Sequence, residues 1–180
     1  PTGTTEICQG TSANNYTTAG ATYATSYMWE LLPAEAGTIT GTKTTGVMDL
    51  SAAYTGAATI KVKGMNDCGE GAFSSELTLN VKPLVLVPEQ PTGTTEICQG
   101  TLANSYTTAG ASYATSYMWE LLPSEAGTVA GTTTTGVVDL SASYTGTATV
   151  KVKGVNDCGE GTFSEELSLT IKPLPLAPAK

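Results

Sequence analysis

Cysteine is the residue of this chain with the most chemistry to offer. Cys8 and Cys68 lie sixty residues apart, and Cys98 and Cys158 repeat that spacing ninety residues on. Four cysteines allow three pairings. Cys8–Cys68 and Cys98–Cys158 are expected, because each ninety-residue half should be self-sufficient. Each bridge would close a loop of about 60 residues and contribute roughly 4 kcal/mol in the chain-entropy account. Zinc needs three or four ligands at short spacing, and a nucleophilic thiolate needs a base or cation beside it. The chain has no His to serve either purpose. A disulfide framework implies an oxidising compartment, so an extracellular or cell-surface location is expected.

The carboxylates come next. Asp67 and Glu70 sit in the turn phrase "NDCGEG", and Glu89 follows in a proline-rich stretch. Oxygen ligands on a turn beside a domain junction suit Ca²⁺; the competing reading is solvated turn residues, and EF-hand spacing is absent. No other cofactor is expected. The pairs Glu30/Asp49 and Glu120/Asp139 have the residue types of a glycosidase acid pair, but short loops imply no cleft for them. Tyr23 and Tyr54, with Tyr113 and Tyr144 in the second half, lie near glycine-containing turns and are candidates for a sugar-stacking surface. Such a surface needs several coplanar rings, and Tyr27 and Trp29 are expected in the core. The sequon Asn15-Tyr16-Thr17 has no counterpart at Asn104-Ser105-Tyr106.

These residues recur because the chain is written twice. Residues 1–90 and 91–180 align without a gap, with 69 of 90 positions identical. A ninety-residue period is that of a whole small domain, not a solenoid turn. Each half carries eight carboxylates and four lysines, which gives the chain its net charge of −8. An acidic chain without Arg lacks the basic patch that nucleic acid or anionic membrane needs. No apolar run reaches the ~20 residues of a membrane span, and no signal-peptide pattern opens the sequence. The opening inside the phrase "PTGTTEICQG" suits an excerpt from a longer array.

The elements that must position these side chains are strands. In "AATIKVKGMN", Ile60 and Val62 alternate with Thr59, Lys61 and Lys63, the pattern of a half-buried strand. "ELTLNVK" puts Leu77, Leu79 and Val81 on one face, and "SYMWELL" does the same with Tyr27, Trp29 and Leu31. Weaker strands are "TEICQG", "NNYTTAG", "GTITG" and "GVMDLS", with breaks at Pro33, Gly37, Gly41, Gly46, Gly56 and "NDCGEG". Seven short strands around one Trp predict an all-β fold: two tandem Ig-like antiparallel β-sandwiches. Substitutions between the halves agree, since Ile39/Val129, Ile60/Val150 and Val81/Ile171 keep apolar shape while Ser75/Glu165 and Lys43/Thr133 do not. The expected boundaries are a first repeat at 1–84, a proline-rich linker at 85–91 and a second repeat at 92–174. Pro83, Pro88 and Pro91 predict an extended, semi-rigid connection, and with it an elongated rod.

The order of Cys8, Gly10, Tyr16, Tyr27, Trp29, Leu31, Pro33, Gly37, Ile39, Asp49, Ser51, Asn66, Cys68, Gly69 and Leu79, repeated ninety residues on, resembles the PKD-like and Ig-like repeats of Bacteroidota surface proteins. Those repeats are β-sandwiches strung together in adhesins, gliding-motility filaments and enzyme accessory regions, exported by the type IX pathway. The usual "W-x-F-G-D-G" is here "WELLPAEAG", so nothing tied to that acidic turn carries over. The resemblance implies a non-catalytic stalk segment of an adhesin whose near-identical modules also offer multivalent contact. Its expected partners are neighbouring repeats, surface glycans or other cell-surface proteins. The alternative is a carbohydrate-binding accessory module of a secreted glycoside hydrolase.

Overall fold

Alternation of apolar and polar residues decides which face of each strand is buried. In the computed structural model, which describes residues 1–176, it does so in two units, Pro1–Pro83 and Leu84–Lys180.

The first unit contains β1 (Glu6–Cys8), β2 (Asn14–Thr17), β3 (Ser26–Leu32), β4 (Gly37–Thr40), β5 (Thr45–Leu50), β6 (Gly56–Asn66), β7 (Gly69–Glu70) and β8 (Leu77–Lys82). One sheet has the order β1-β8-β6-β3, with β7 folded back on the end of β6; the other has the order β2-β5-β4. Every pairing is antiparallel except β1 with β8, where Ile7 lies opposite Val81 in a parallel ladder. All seven expected strands are present. The eighth, β7, lies where glycines and polar residues predict only a turn: Asn66 pairs with Gly69 and Met65 with Glu70.

Between the sheets lies one apolar core. Tyr16, Trp29, Leu31, Met48, Leu50, Ile60, Val62, Leu79 and Val81 are buried there, with Tyr27, Ile39, Tyr54 and Leu77 packed around its margin. The β5 glycine, Gly46, permits the Trp to lie flat, because a Cβ there would come within 2.6 Å of the indole ring. The indole N–H donates to the Lys43 carbonyl at 3.0 Å, satisfying the ring's only polar group. Tyr16 is 1% exposed and donates its hydroxyl to the Thr4 carbonyl at 2.8 Å.

The second unit repeats this plan with β9 (Glu96–Cys98), β10 (Asn104–Thr107), β11 (Ser116–Leu122), β12 (Gly127–Ala130), β13 (Thr135–Leu140), β14 (Gly146–Asn156), β15 (Gly159–Glu160) and β16 (Leu167–Lys172). Its sheets run β11-β14-β16-β9, with β15 on β14, and β10-β13-β12. The chain is therefore all-β, two tandem Ig-like sandwiches.

Candidate functional site

The outer face of β3 and β6 gathers two of each repeat's four lysines together with the carboxylates that pair with them. Glu30 and Lys61 are direct cross-strand partners, and their side chains form an ion pair of 3.1 Å. The Phe73 ring lies against both outward lysines, with Lys61 Nζ 4.6 Å and Lys63 Nζ 4.8 Å from its centroid, within cation–π range. Lys63 also pairs with Glu70. The second repeat rebuilds this array from Lys151, Lys153, Phe163, Glu120 and Glu160, and adds Glu166 at 3.5 Å from Lys151. The hydrogen bond to Glu120 is the largest influence holding the Lys151 ammonium above its ordinary pKa. At the sheet edge, Lys172 lies 2.5 Å from Glu96 and holds that carboxyl below its usual range by hydrogen bonding and charge. Exposed pairs of this kind, screened by solvent, contribute little to stability. Their effect here is to neutralise the lysine stripe with the repeat's own carboxylates.

The acid pairs suggested by the sequence are not brought together. Glu30 points outward from one sheet while its neighbours Trp29 and Leu31 face the core; Asp49 points outward from the other, between buried Met48 and Leu50. The carboxylates leave opposite faces of a sandwich whose sheets are ~10 Å apart. That exceeds the ~5–9.5 Å of a glycosidase pair. Asp49 serves the scaffold instead, since its Oδ1 accepts the Ala13 N–H at 2.7 Å and fixes that residue at a φ of +56°. Asp139 does the same for Ala103 at 2.7 Å.

Of the calcium candidates, Asp67 and Glu70 flank the β6–β7 turn, and the Glu70 carboxylate is engaged by Lys63. Glu89 belongs to the second unit, where its carbonyl accepts the Thr108 hydroxyl at 2.6 Å. Among the described residues no three His, Cys, Asp or Glu side chains cluster to hold a metal ion.

The tyrosines lie at opposite ends of β6. Tyr23 is 86% exposed, and its carbonyl accepts the side-chain amide of Asn66, the last residue of β6. Tyr54 is half-buried against the core and donates its hydroxyl to the Ala57 carbonyl, beside the first residue of β6. Tyr113 and Tyr144 repeat these positions, with Tyr144 donating to Thr147 at 2.6 Å. No single stacking surface is shared by the two tyrosines of a repeat.

The expected cysteine pairing is corrected. Cys68 and Cys98 are exposed free thiols, whereas Cys8 and Cys158 are disulfide-bonded. Neither repeat closes a bridge within itself, and the strand register explains why. Cys8 lies opposite Lys82, level with the start of β6, since Gly56 faces Val81. Cys68 follows the far end of that strand. Ten residue steps at ~3.3 Å put the two roughly 33 Å apart, against a bridging limit of ~7 Å between Cα atoms. Cys98 and Cys158 are separated in the same way.

Sequence reasoning missed one further feature, a groove beside Cys68. In the first unit it has a volume of about 380 Å³ and is lined by Ala21, Tyr23, Ala24, Gly64, Cys68 and Gly71, among others. Tyr27 braces its rim, accepting the Ala21 N–H at its hydroxyl over 2.8 Å. In the second unit the matching surface is occupied. A Cβ at Gly154 would meet Val85 Cγ1 at 2.6 Å, and one at Gly161 would meet Val85 at 3.2 Å. The bound segment is held by Leu86 N–H to Ser112 carbonyl at 3.2 Å, and by Glu89 N–H to Gly110 carbonyl at 3.3 Å. The only sequence signal was the set of small residues repeated in both halves.

No described helix is long and apolar enough to cross a membrane. Among solved structures, a marsupial T cell receptor aligns with a TM-score of 0.61 at 14% identity, over 99% of this chain and 74% of that one. Titin domains A168–A170 align with a TM-score of 0.54 at 14% identity, over 93% of this chain. This chain spans 62% of that titin fragment. At such identity the likeness is one of fold alone, and it agrees with the Ig-like sheet pairs above. No curated protein matches the chain. The PKD-like domain family matches residues 1–79 and again residues 84–169, one match per sandwich. The chain belongs to the PKD-like domain family, as two tandem members.

Proposed function

We propose that this chain is a non-catalytic spacer segment of an extracellular or cell-surface adhesin, of the kind found in the Bacteroidota repeat proteins that its motif order resembles. One observation carries this reading: the same closed sandwich is built twice, and the Glu30–Lys61 and Lys63–Glu70 ion pairs of the first recur as Glu120–Lys151 and Lys153–Glu160 in the second. The chain's mechanical role is to hold a distal element away from its anchor, and repetition multiplies any weak surface contact. Near-identical modules suit that role because stability is shared evenly along the chain.

Pulling single molecules by their termini under reducing conditions, with every disulfide opened, tests the reading. Two unfolding events of nearly equal length, together with an elongated solution scattering profile, are the expected result. A parent reading frame that joins these repeats to a catalytic domain, without further repeats, would overturn it. The carbohydrate-module reading has one favourable observation, the 86% exposure of Tyr23. A polysaccharide pull-down that is lost on Tyr23→Ala and Tyr113→Ala would establish that reading instead.

A further inference from the structure

We propose that the groove of the first unit is a docking site for an extended segment of the Pro83–Gln90 type, supplied by another repeat of this kind. The basis is a comparison of two nearly identical surfaces, one open and one covered.

In the second unit the segment seats Val85 between Gly154 and Gly161 and against Ala114. Pro88, three residues on, is buried in the same run. Besides the two backbone hydrogen bonds from Leu86 and Glu89, the Thr108 hydroxyl donates to the Glu89 carbonyl at 2.6 Å. Gln90 donates its side-chain amide to the Glu166 carbonyl at 2.8 Å. The ninety-residue period carries each of these recognition groups to the first unit, as Gly64, Gly71 and Ala24, the carbonyls of Gly20, Thr22 and Glu76, and the Thr18 hydroxyl.

Burial records the difference between the covered surface and the open one. Tyr113 is 56% exposed where Tyr23 is 86% exposed. Thr108 and Ser164 are buried, whereas Thr18 and Ser74 are only half-buried; Gly154 is buried and Gly64 is not. These residues are identical in the two halves, so the occupant and not the lining accounts for the change. The chemistry selects the occupant. Two glycines and an alanine leave room for a β-branched side chain of valine size, and the carbonyls of the rim require N–H donors one and four residues after it. Prolines before and after keep such a segment extended at low entropic cost. Pro83-Leu-Val-Leu-Val-Pro88 has all of these properties.

The test grafts a second copy of Pro83–Gln90 directly ahead of Pro1 in the full chain, recreating the natural Gln90–Pro91 junction. Hydrogen exchange then reads the grafted amides. The positions matching Leu86 and Glu89 are expected to be protected at least tenfold over an unstructured peptide. That protection is expected to vanish when the graft carries the equivalent of Val85→Asp, and when Gly71→Val fills the groove. Grafted amides that exchange at unstructured rates would overturn the proposal, as would protection that survives the aspartate. If Gly71→Val fails to fold, the aspartate graft still decides the matter. Failure here would leave the spacer reading standing, because that reading is decided by the pulling experiment.

Discussion

A methyl group added at Gly46 would sit 2.6 Å from the Trp29 ring, and the ring is fixed at its nitrogen by the Lys43 carbonyl at 3.0 Å. Gly46→Ala and Gly136→Ala are therefore expected to cost about 1–3 kcal/mol each by overpacking. Thermal melts should show this as a drop of several degrees in Tm. Tyr16 gives a second handle at this scale. Burial pushes its pKa from 10.0 up to about 12, and Tyr106 is shifted in the same direction for the same reason. A raised folded-state pKa means that the folded chain keeps a proton the unfolded chain releases. Its stabilising effect is whole below pH 10 and is lost as the pH climbs toward 12. Spectrophotometric titration should find two tyrosines that ionise last, together with unfolding. Residue identity alone told less about the cysteines. Their spacing is real and repeated, but spacing along a chain does not say which end of a strand a residue occupies. The parallel register of Ile7 with Val81 does say it.

Strands were the most legible elements, because alternation is a direct consequence of one buried face. Ile60 and Val62, Leu79 and Val81, Trp29 and Leu31 all lie where that rule puts them. Strand β7 was not legible, since its Gly69 and Glu70 carry no apolar signal and pair only because β6 runs on past the core. The seat of Val85 was equally hidden. It depends on side chains that are missing at Gly154 and Gly161, and periodicity registers only those present. Tyr54 read as a surface candidate because a glycine follows it closely; its half-burial comes from packing of its ring against the core, with the hydroxyl donated to the Ala57 carbonyl. At this scale Val85→Asp is expected to raise exchange at Leu86 and Glu89 at least tenfold and to leave amides of the first unit unchanged. Hydrogen exchange on the full chain measures both.

For the whole molecule, charge and repetition were plain from the sequence, while the redox state of its thiols was not. Two thiols per chain, Cys68 and Cys98, are expected to react with a maleimide in native buffer. Cys8 and Cys158 are expected to react only after reduction, which peptide mapping by mass spectrometry distinguishes. Repetition has a further cost that appears before the protein is finished. Residues 1–10 and 91–100 are the same ten amino acids, and each run supplies the short parallel strand that completes a sheet edge, β1 against β8 and β9 against β16. Either copy is a competent mate for either edge, so emergence from the ribosome in order guards against strand exchange. The first sandwich can close on its own opening residues before the identical run emerges, an advantage that refolding from denaturant does not have.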